Sequence, residues 1–133
     1  MTLRQCSVAV IVGLCVLGFC LACKHHVSAA ARTASLSVTN GACAQSPNPV
    51  PVSNGDTVTW STGSATTGCS ISFTNTQAGC PFYGGNCSYT CTNGTVTSDQ
   101  VTSTAPTATQ YQFSSWSIGN TNCSIGSDGL VMR

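Results

Sequence analysis

The sequence predicts an all-β fold: a small disulfide-stapled β-sandwich of seven or eight short strands. Three observations predict it. Short segments alternate apolar and polar residues with a period of two, and none has helical spacing. Turn dipeptides built on Gly, Asn, Asp and Pro separate these segments. Six cysteines lie between Cys43 and Cys123 in a chain of 133 residues, the size of one domain.

The strands read in order as follows. Leu36 and Val38 alternate with Ser35, Ser37 and Thr39. Val50 and Val52 are interleaved with prolines, which confines that segment to a sheet edge because proline donates no ladder hydrogen bond. Asn54-Gly55-Asp56 is a turn, and Thr57-Val-Thr-Trp60 follows with Val58 and Trp60 on one face. Cys69, Ile71 and Phe73 share a face opposite Ser70 and Ser72. The stretch 74–92 reads as a loop holding Cys80, Cys87 and Cys91. Asn93-Gly94 turns into Thr95-Val96-Thr97, and Gln100–Thr104 is a weak strand. Tyr111 and Phe113 alternate with Gln110 and Gln112; 118–129 reads as a loop, and Leu130–Arg133 as the last strand.

The N-terminus is of a different character. Arg4 precedes an apolar run over residues 7–22, followed by Cys23, Lys24, His25 and His26. A charged start, an apolar middle and a small-residue exit describe an export signal. The run falls slightly short of the roughly 20 residues that span a bilayer, and left uncleaved it would be a retained membrane anchor. Two processing routes are open. Leu21-Ala22-Cys23 resembles the end of a bacterial lipoprotein signal, in which Cys23 would be lipidated and would anchor the chain to a membrane. Cleavage after Val27-Ser28-Ala29 or Ala29-Ala30-Ala31 also fits a small-x-small rule. The expected organisation is a signal at 1–23, a flexible tether at 24–34 and a domain at 35–133. The expected location is outside the cytoplasm, as a periplasmic or outer-membrane lipoprotein or a secreted protein.

Charge is scarce. There is no Glu, the acidic residues are Asp56, Asp99 and Asp128, and no Lys, Arg or His lies between Ala34 and Met132. That excludes nucleic acid as a partner, since phosphate neutralisation needs Lys and Arg. It also leaves a Ser or Cys nucleophile without a base in the domain. Asp56 and Asp128 sit beside glycines in turns, where Asp caps the local backbone. A zinc site wants paired CxxC spacing, and the closest domain pair is Cys87-x3-Cys91, so the six domain cysteines read as disulfides. Cys6, Cys15, Cys20 and Cys23 belong to the signal.

The segment Val52-Ser-Asn-Gly-Asp-Thr-Val-Thr-Trp60, with Tyr111-Gln-Phe113, Cys123 and Leu130-Val-Met132, resembles the cupredoxin-like, or blue-copper, family. The resemblance implies a Greek-key β-sandwich. Its copper site does not carry over. Such a centre needs two imidazoles and a thiolate, and the only histidines are His25 and His26. No cofactor is expected. The family's arrangement implies that Cys69 and Cys123 converge at one end of the sandwich and form a disulfide. The remaining four cysteines allow three pairings, of which Cys80–Cys87 with Cys43–Cys91 is preferred.

Thr-x-Thr recurs at irregular spacing, as at Thr57-Thr59 and Thr95-Thr97, which is ordinary strand chemistry. Asn86, Asn93 and Asn122 head N-x-Ser/Thr patterns that matter only in a eukaryotic secretory path. Trp60 shares a face with Val58 and belongs to the core. Trp116 has the opposite parity from Tyr111 and Phe113, which places it outside. Phe82, Tyr83 and Tyr89 lie in the Cys-rich loop, where packing against the disulfides is the plainer reading and a ring platform the other. The expectation is a non-enzymatic exported domain of structural or recognition role. The alternative is a carbohydrate- or protein-binding module presenting Trp116, Phe82, Tyr83 and Tyr89.

Overall fold

A computed structural model describes residues 28–73, 80–102, 108–126 and 128–133. The expected export signal with its apolar run 7–22, Cys23, Lys24, His25 and His26 lies outside the described residues. So do Thr74, Thr76, Thr104 and Thr107.

The fold is all-β, as the alternation predicts, with ten strands in two sheets among the described residues. The strands are β1 (Ala31–Thr39), β2 (Ala42–Ser46), β3 (Val50–Val52), β4 (Thr57–Ser61), β5 (Cys69–Phe73), β6 (Ser88–Thr90), β7 (Thr95–Thr97), β8 (Gln110–Ile118), β9 (Thr121–Cys123) and β10 (Gly129–Met132). One sheet runs β2-β1-β4-β7, and the other runs β3-β10-β8-β5-β6. β9 also pairs with β8, along the edge that β10 uses further back. The Pro-interleaved β3 lies at a sheet edge, parallel to β10.

β1 begins at Ala31, so residues 31–34 are strand and not tether. Its first half pairs in parallel with β4, from Ala31 opposite Thr57 to Ser35 opposite Ser61. Its second half pairs antiparallel with β2. Asn40-Gly41 makes the connecting hairpin with both residues in the left-handed region. That conformation suits a two-residue turn whose twist matches the strands. Asn93-Gly94 repeats it between Thr92 and Thr95. Three strands go beyond the sequence expectation. β2 is nearly devoid of large apolar residues, and β6 and β9 are three-residue strands inside cysteine-bearing loops. Conversely, of the expected strand Gln100–Thr104 the described residues 100–102 provide an isolated bridge at Val101, opposite Phe82, and residues 103–104 lie outside the described residues.

The core lies between the sheets. Val58 and Trp60 from β4 face Ile71 and Phe73 from β5, Phe113 from β8 and Leu130 from β10, all buried. The Trp60 ring is the hub, with centroids 5.8 Å from Phe73, 6.3 Å from Phe82, 5.8 Å from Tyr89 and 6.4 Å from Phe113. Aromatic pairs at such separations add roughly 0.5–1.5 kcal/mol each beyond their buried area. Gly129 is required where β10 meets β8. Its φ is +151°, and a Cβ there would overlap the Tyr111 carbonyl.

Trp116 corrects the parity argument. β5 pairs Ile71 with Trp116 and Ser72 with Ser115, but Phe73 with Phe113. Ser114 is therefore an extra residue, a β-bulge that flips the alternation. Beyond it, Trp116 and Ile118 return to the face of Tyr111 and Phe113 and are buried.

The disulfides are Cys43–Cys123, Cys69–Cys91 and Cys80–Cys87, with Cα separations of 5.5, 4.7 and 5.5 Å. Cys80–Cys87 agrees with expectation, while Cys69–Cys123 and Cys43–Cys91 do not form. The reason is β8. Cys69 lies opposite Ile118 on one of its edges, and Cys123 lies opposite Trp116 on the other. Two inter-strand spacings, about 9–10 Å, exceed the roughly 7 Å that a disulfide tolerates. Cys69 instead meets Cys91, which continues the β5–β6 ladder and donates its N–H to the Cys69 carbonyl at 2.7 Å. Cys43 of β2 reaches Cys123 of β9 and ties one sheet to the other.

These closures predict unequal contributions. Cys43–Cys123 spans 80 residues and Cys80–Cys87 spans 7. In the chain-entropy account the first contributes about 4–5 kcal/mol and the second about 2 kcal/mol. Urea unfolding of the two double-Ser variants should show the larger loss for Cys43–Cys123.

Candidate functional site

Polar side chains inside the sandwich are few, and each is fully used. Gln45 on β2 is buried beside Trp60. Its Oε1 accepts from the Trp60 indole N–H at 3.2 Å. Its Nε2 donates to the Gly129 carbonyl at 2.9 Å and the Pro47 carbonyl at 3.1 Å. Gln45 thus joins the two sheets by hydrogen bonds as Cys43–Cys123 joins them covalently. Sequence reasoning missed it, because a Gln between Ala44 and Ser46 gives no periodic signal.

Asp56 is the second buried polar centre, with no exposed side-chain surface. It closes the turn before β4, where Oδ2 accepts the Ser53 N–H at 3.0 Å. Oδ2 also accepts from Arg32 Nε of β1 at 2.7 Å, and Oδ1 accepts the Ala30 N–H at 2.7 Å. Burial by itself would raise the Asp56 pKa. The Arg32 guanidinium and the two backbone N–H groups outweigh it and hold the carboxyl below its ordinary value. Asp56 is therefore a turn residue, as the sequence indicates, and also half of an ion pair that the position of Arg32 in the presumed tether concealed.

The other carboxylates are engaged at the surface. Asp99 Oδ2 accepts from Asn86 Nδ2 and the Tyr89 hydroxyl, each at 3.4 Å. Burial drives the Tyr89 phenol well above its usual pKa. Asp128 Oδ1 accepts from Asn48 Nδ2 at 2.8 Å. Asp99 and Asp128 thus serve different segments and form no carboxylate pair with each other in these bonds. Among the described residues, no group of three or more His, Cys, Asp or Glu side chains is placed to hold a metal ion.

The four aromatics of the alternative binding platform separate. Trp116, Phe82 and Tyr89 are buried. Phe82 and Tyr89 stack edge-on at 5.2 Å within the Trp60 cluster, and Trp116 packs on Phe113 at 5.3 Å and donates to the Ser124 carbonyl at 3.0 Å. Only Tyr83 of the four is exposed, at 77%, on a 3-10 turn spanning Tyr83–Gly85. Residues of loops become core here because Phe82 bridges to Val101 and Tyr89 sits mid-strand in β6. Elsewhere an open groove of about 380 Å³ lies between the sheets, lined by Leu36, Val38, Thr62, Thr67, Ile118 and Thr121 among others. Its hydroxyls and methyls carry no charge.

Comparison of the chain with protein-family models, with curated proteins and with solved structures finds no match.

Two predictions follow from these centres. Gln45→Leu removes the acceptor of the Trp60 indole and a donor to Gly129, at an expected cost of about 1–3 kcal/mol, read by urea unfolding followed through Trp fluorescence. For Asp56 the folded pKa is lowered, so its stabilisation is complete above the unfolded value of about 3.9 and is lost as pH falls through the folded value. Acid unfolding of wild type should show this loss, and Asp56→Asn should flatten it.

Proposed function

We propose that the chain is an exported, non-enzymatic β-sandwich domain of structural or recognition role, cupredoxin-like in arrangement and without copper. The observation that carries this reading is the set of three disulfides, which engages all six domain cysteines and links both sheets. Such a set persists in oxidising compartments. The apolar run at 7–22 supplies the route there. Two features support a non-catalytic role. The stretch between Ala34 and Met132 has no His, Lys or Arg, and its three carboxylates serve as hydrogen-bond acceptors for structural partners. The cupredoxin-like reading draws support from the closing strands, where β8 and β10 pair antiparallel with the Cys123-bearing β9 between them in sequence.

A second reading keeps a recognition role for Tyr83. Its exposed ring, on a turn tied to the Gln100 carbonyl through the Tyr83 N–H, suits a partner that stacks on it, such as a carbohydrate or a polypeptide. Trp116, Phe82 and Tyr89 have no part in it. Tyr83→Ala should leave stability within about 0.5 kcal/mol of wild type and abolish any chemical-shift response to neutral oligosaccharides.

Export is tested by thiol labelling. The full chain, expressed in a bacterium and denatured without reductant, should show no alkylatable thiol among the six domain cysteines when recovered from the periplasmic or surface fraction. The same domain made without residues 1–27 and kept in the cytoplasm should label at all six. Recovery of the full chain from the cytoplasm with free thiols would contradict the reading.

A further inference from the structure

The start of β1 holds an arrangement that its sequence alone does not explain. Ala30 donates its N–H to Asp56 Oδ1 at 2.7 Å and accepts the Thr57 N–H at 3.1 Å. It is the first described residue to engage the sandwich in this way. Ser28 and Ala29 precede it, exposed and outside any strand. The two oxygens of Asp56 are unequally served. Oδ2 takes the Arg32 guanidinium and the Ser53 amide, whereas Oδ1 takes the Ala30 amide. A neutral donor thus faces one oxygen of a fully buried carboxylate just ahead of β1.

We propose that the mature chain begins at Ala30, and that its α-ammonium forms a second ion pair with Asp56. This rests on the export reading and adds the processing site. A signal peptidase would hydrolyse the Ala29–Ala30 peptide bond. Water adds hydroxyl to the Ala29 carbonyl, giving a carboxyl group, and hydrogen to the Ala30 nitrogen. The amine then takes a proton at neutral pH, and no electrons change hands. Val27-Ser28-Ala29 supplies the small-x-small pattern that such an enzyme reads. The cut converts a neutral N–H at 2.7 Å from a buried carboxylate into a cation, and a charge-assisted hydrogen bond is roughly twice as strong as a neutral one.

The other two routes use the arrangement less well. Cleavage after Ala31 removes the Ala30 donor and the first residue of the β1–β4 ladder, Ala31 opposite Thr57. Lipidation at Cys23 leaves Ala30 an internal amide.

The pairing has a defined pH signature. An α-amine titrates ordinarily at about 7.7–8.0, and a carboxylate in contact raises that value. Arg32 on β1 is the charged side chain facing Asp56 and opposes the rise, while the 53–56 turn and the Val101 segment present backbone groups. With the folded value raised, the stabilisation is complete below the unfolded value of about 7.7–8.0 and is lost as pH rises through the folded one.

The experiment has two arms. The full chain is expressed, and the exported product is analysed by intact mass and N-terminal sequencing. The expected terminus is Ala30. A terminus at Arg32, or a lipidated Cys23, overturns the proposal and leaves export standing; an uncleaved cytoplasmic chain overturns both. The second arm exploits Lys24 as the only lysine in the sequence. A chain starting at Ala30 has one amine, so reductive ¹³C-methylation labels that site alone. Its NMR titration should give a higher midpoint in the native protein than in urea, and Asp56→Asn should abolish the difference. Equal midpoints in native and urea-unfolded wild type overturn the ion pair, whether or not Asp56→Asn folds.

Discussion

Asp56 carries its charge where solvent does not reach, and the entry of β1 into the sandwich depends on it. A buried carboxylate is costly unless it is paired and hydrogen-bonded. Here the pairing comes from outside its own turn, from Arg32 and Ala30, 24 and 26 residues earlier in the chain. Asp56 also closes the turn that launches β4 through Ser53. One side chain thus sets where β4 starts and where β1 lies against it. The parallel register from Ala31 to Ser35 follows from that anchor. Once β1 is placed, its second half is free to pair with β2 through the Asn40-Gly41 hairpin.

The rest of the core is organised around Trp60, three residues into β4 from its start at Thr57. Its ring collects Phe73, Phe82, Phe113 and Tyr89 from four separate segments, and its indole N–H is carried by Gln45 to the backbone of the opposite sheet. Cys43, two residues before Gln45, adds the covalent tie to Cys123. The short β2 therefore holds the two sheets together twice, once by disulfide and once by an amide. That concentration suits a small domain with limited apolar area, in which cross-links supplement burial.

What was legible in the sequence was the part governed by period and turn chemistry. Val58 with Trp60, Ile71 with Phe73, and Tyr111 with Phe113 point inward as their alternation says. The proline-bearing β3 sits at an edge for the reason proline must. The failures have physical causes that a linear pattern does not carry. A one-residue bulge at Ser114 reverses the parity of everything after it, and so Trp116 is core. Phe82 and Tyr89 occur in a loop-like stretch but are drawn inward by bridges made to distant residues. The cysteine pairing depends on which strand separates two others, and β8 separates Cys69 from Cys123. Arg32 sits among small residues ahead of the first clear alternation, and its role exists only because β1 and β4 run side by side.

The three carboxylates of the domain each accept hydrogen bonds from neighbouring segments. Among the described residues Tyr83 and Ile125 are the most exposed large apolar side chains, and the Arg32–Asp56 ion pair is turned inward onto β1. The most direct test of that account is the titration of the Asp56 carboxyl itself, read by ¹³C NMR in a protein with only three side-chain carboxyls and no Glu. A midpoint clearly below the ordinary value of about 3.9 is predicted, with an upward move in Arg32→Gln. A midpoint at or above that value would contradict it, since burial would then outweigh the groups that hold the charge.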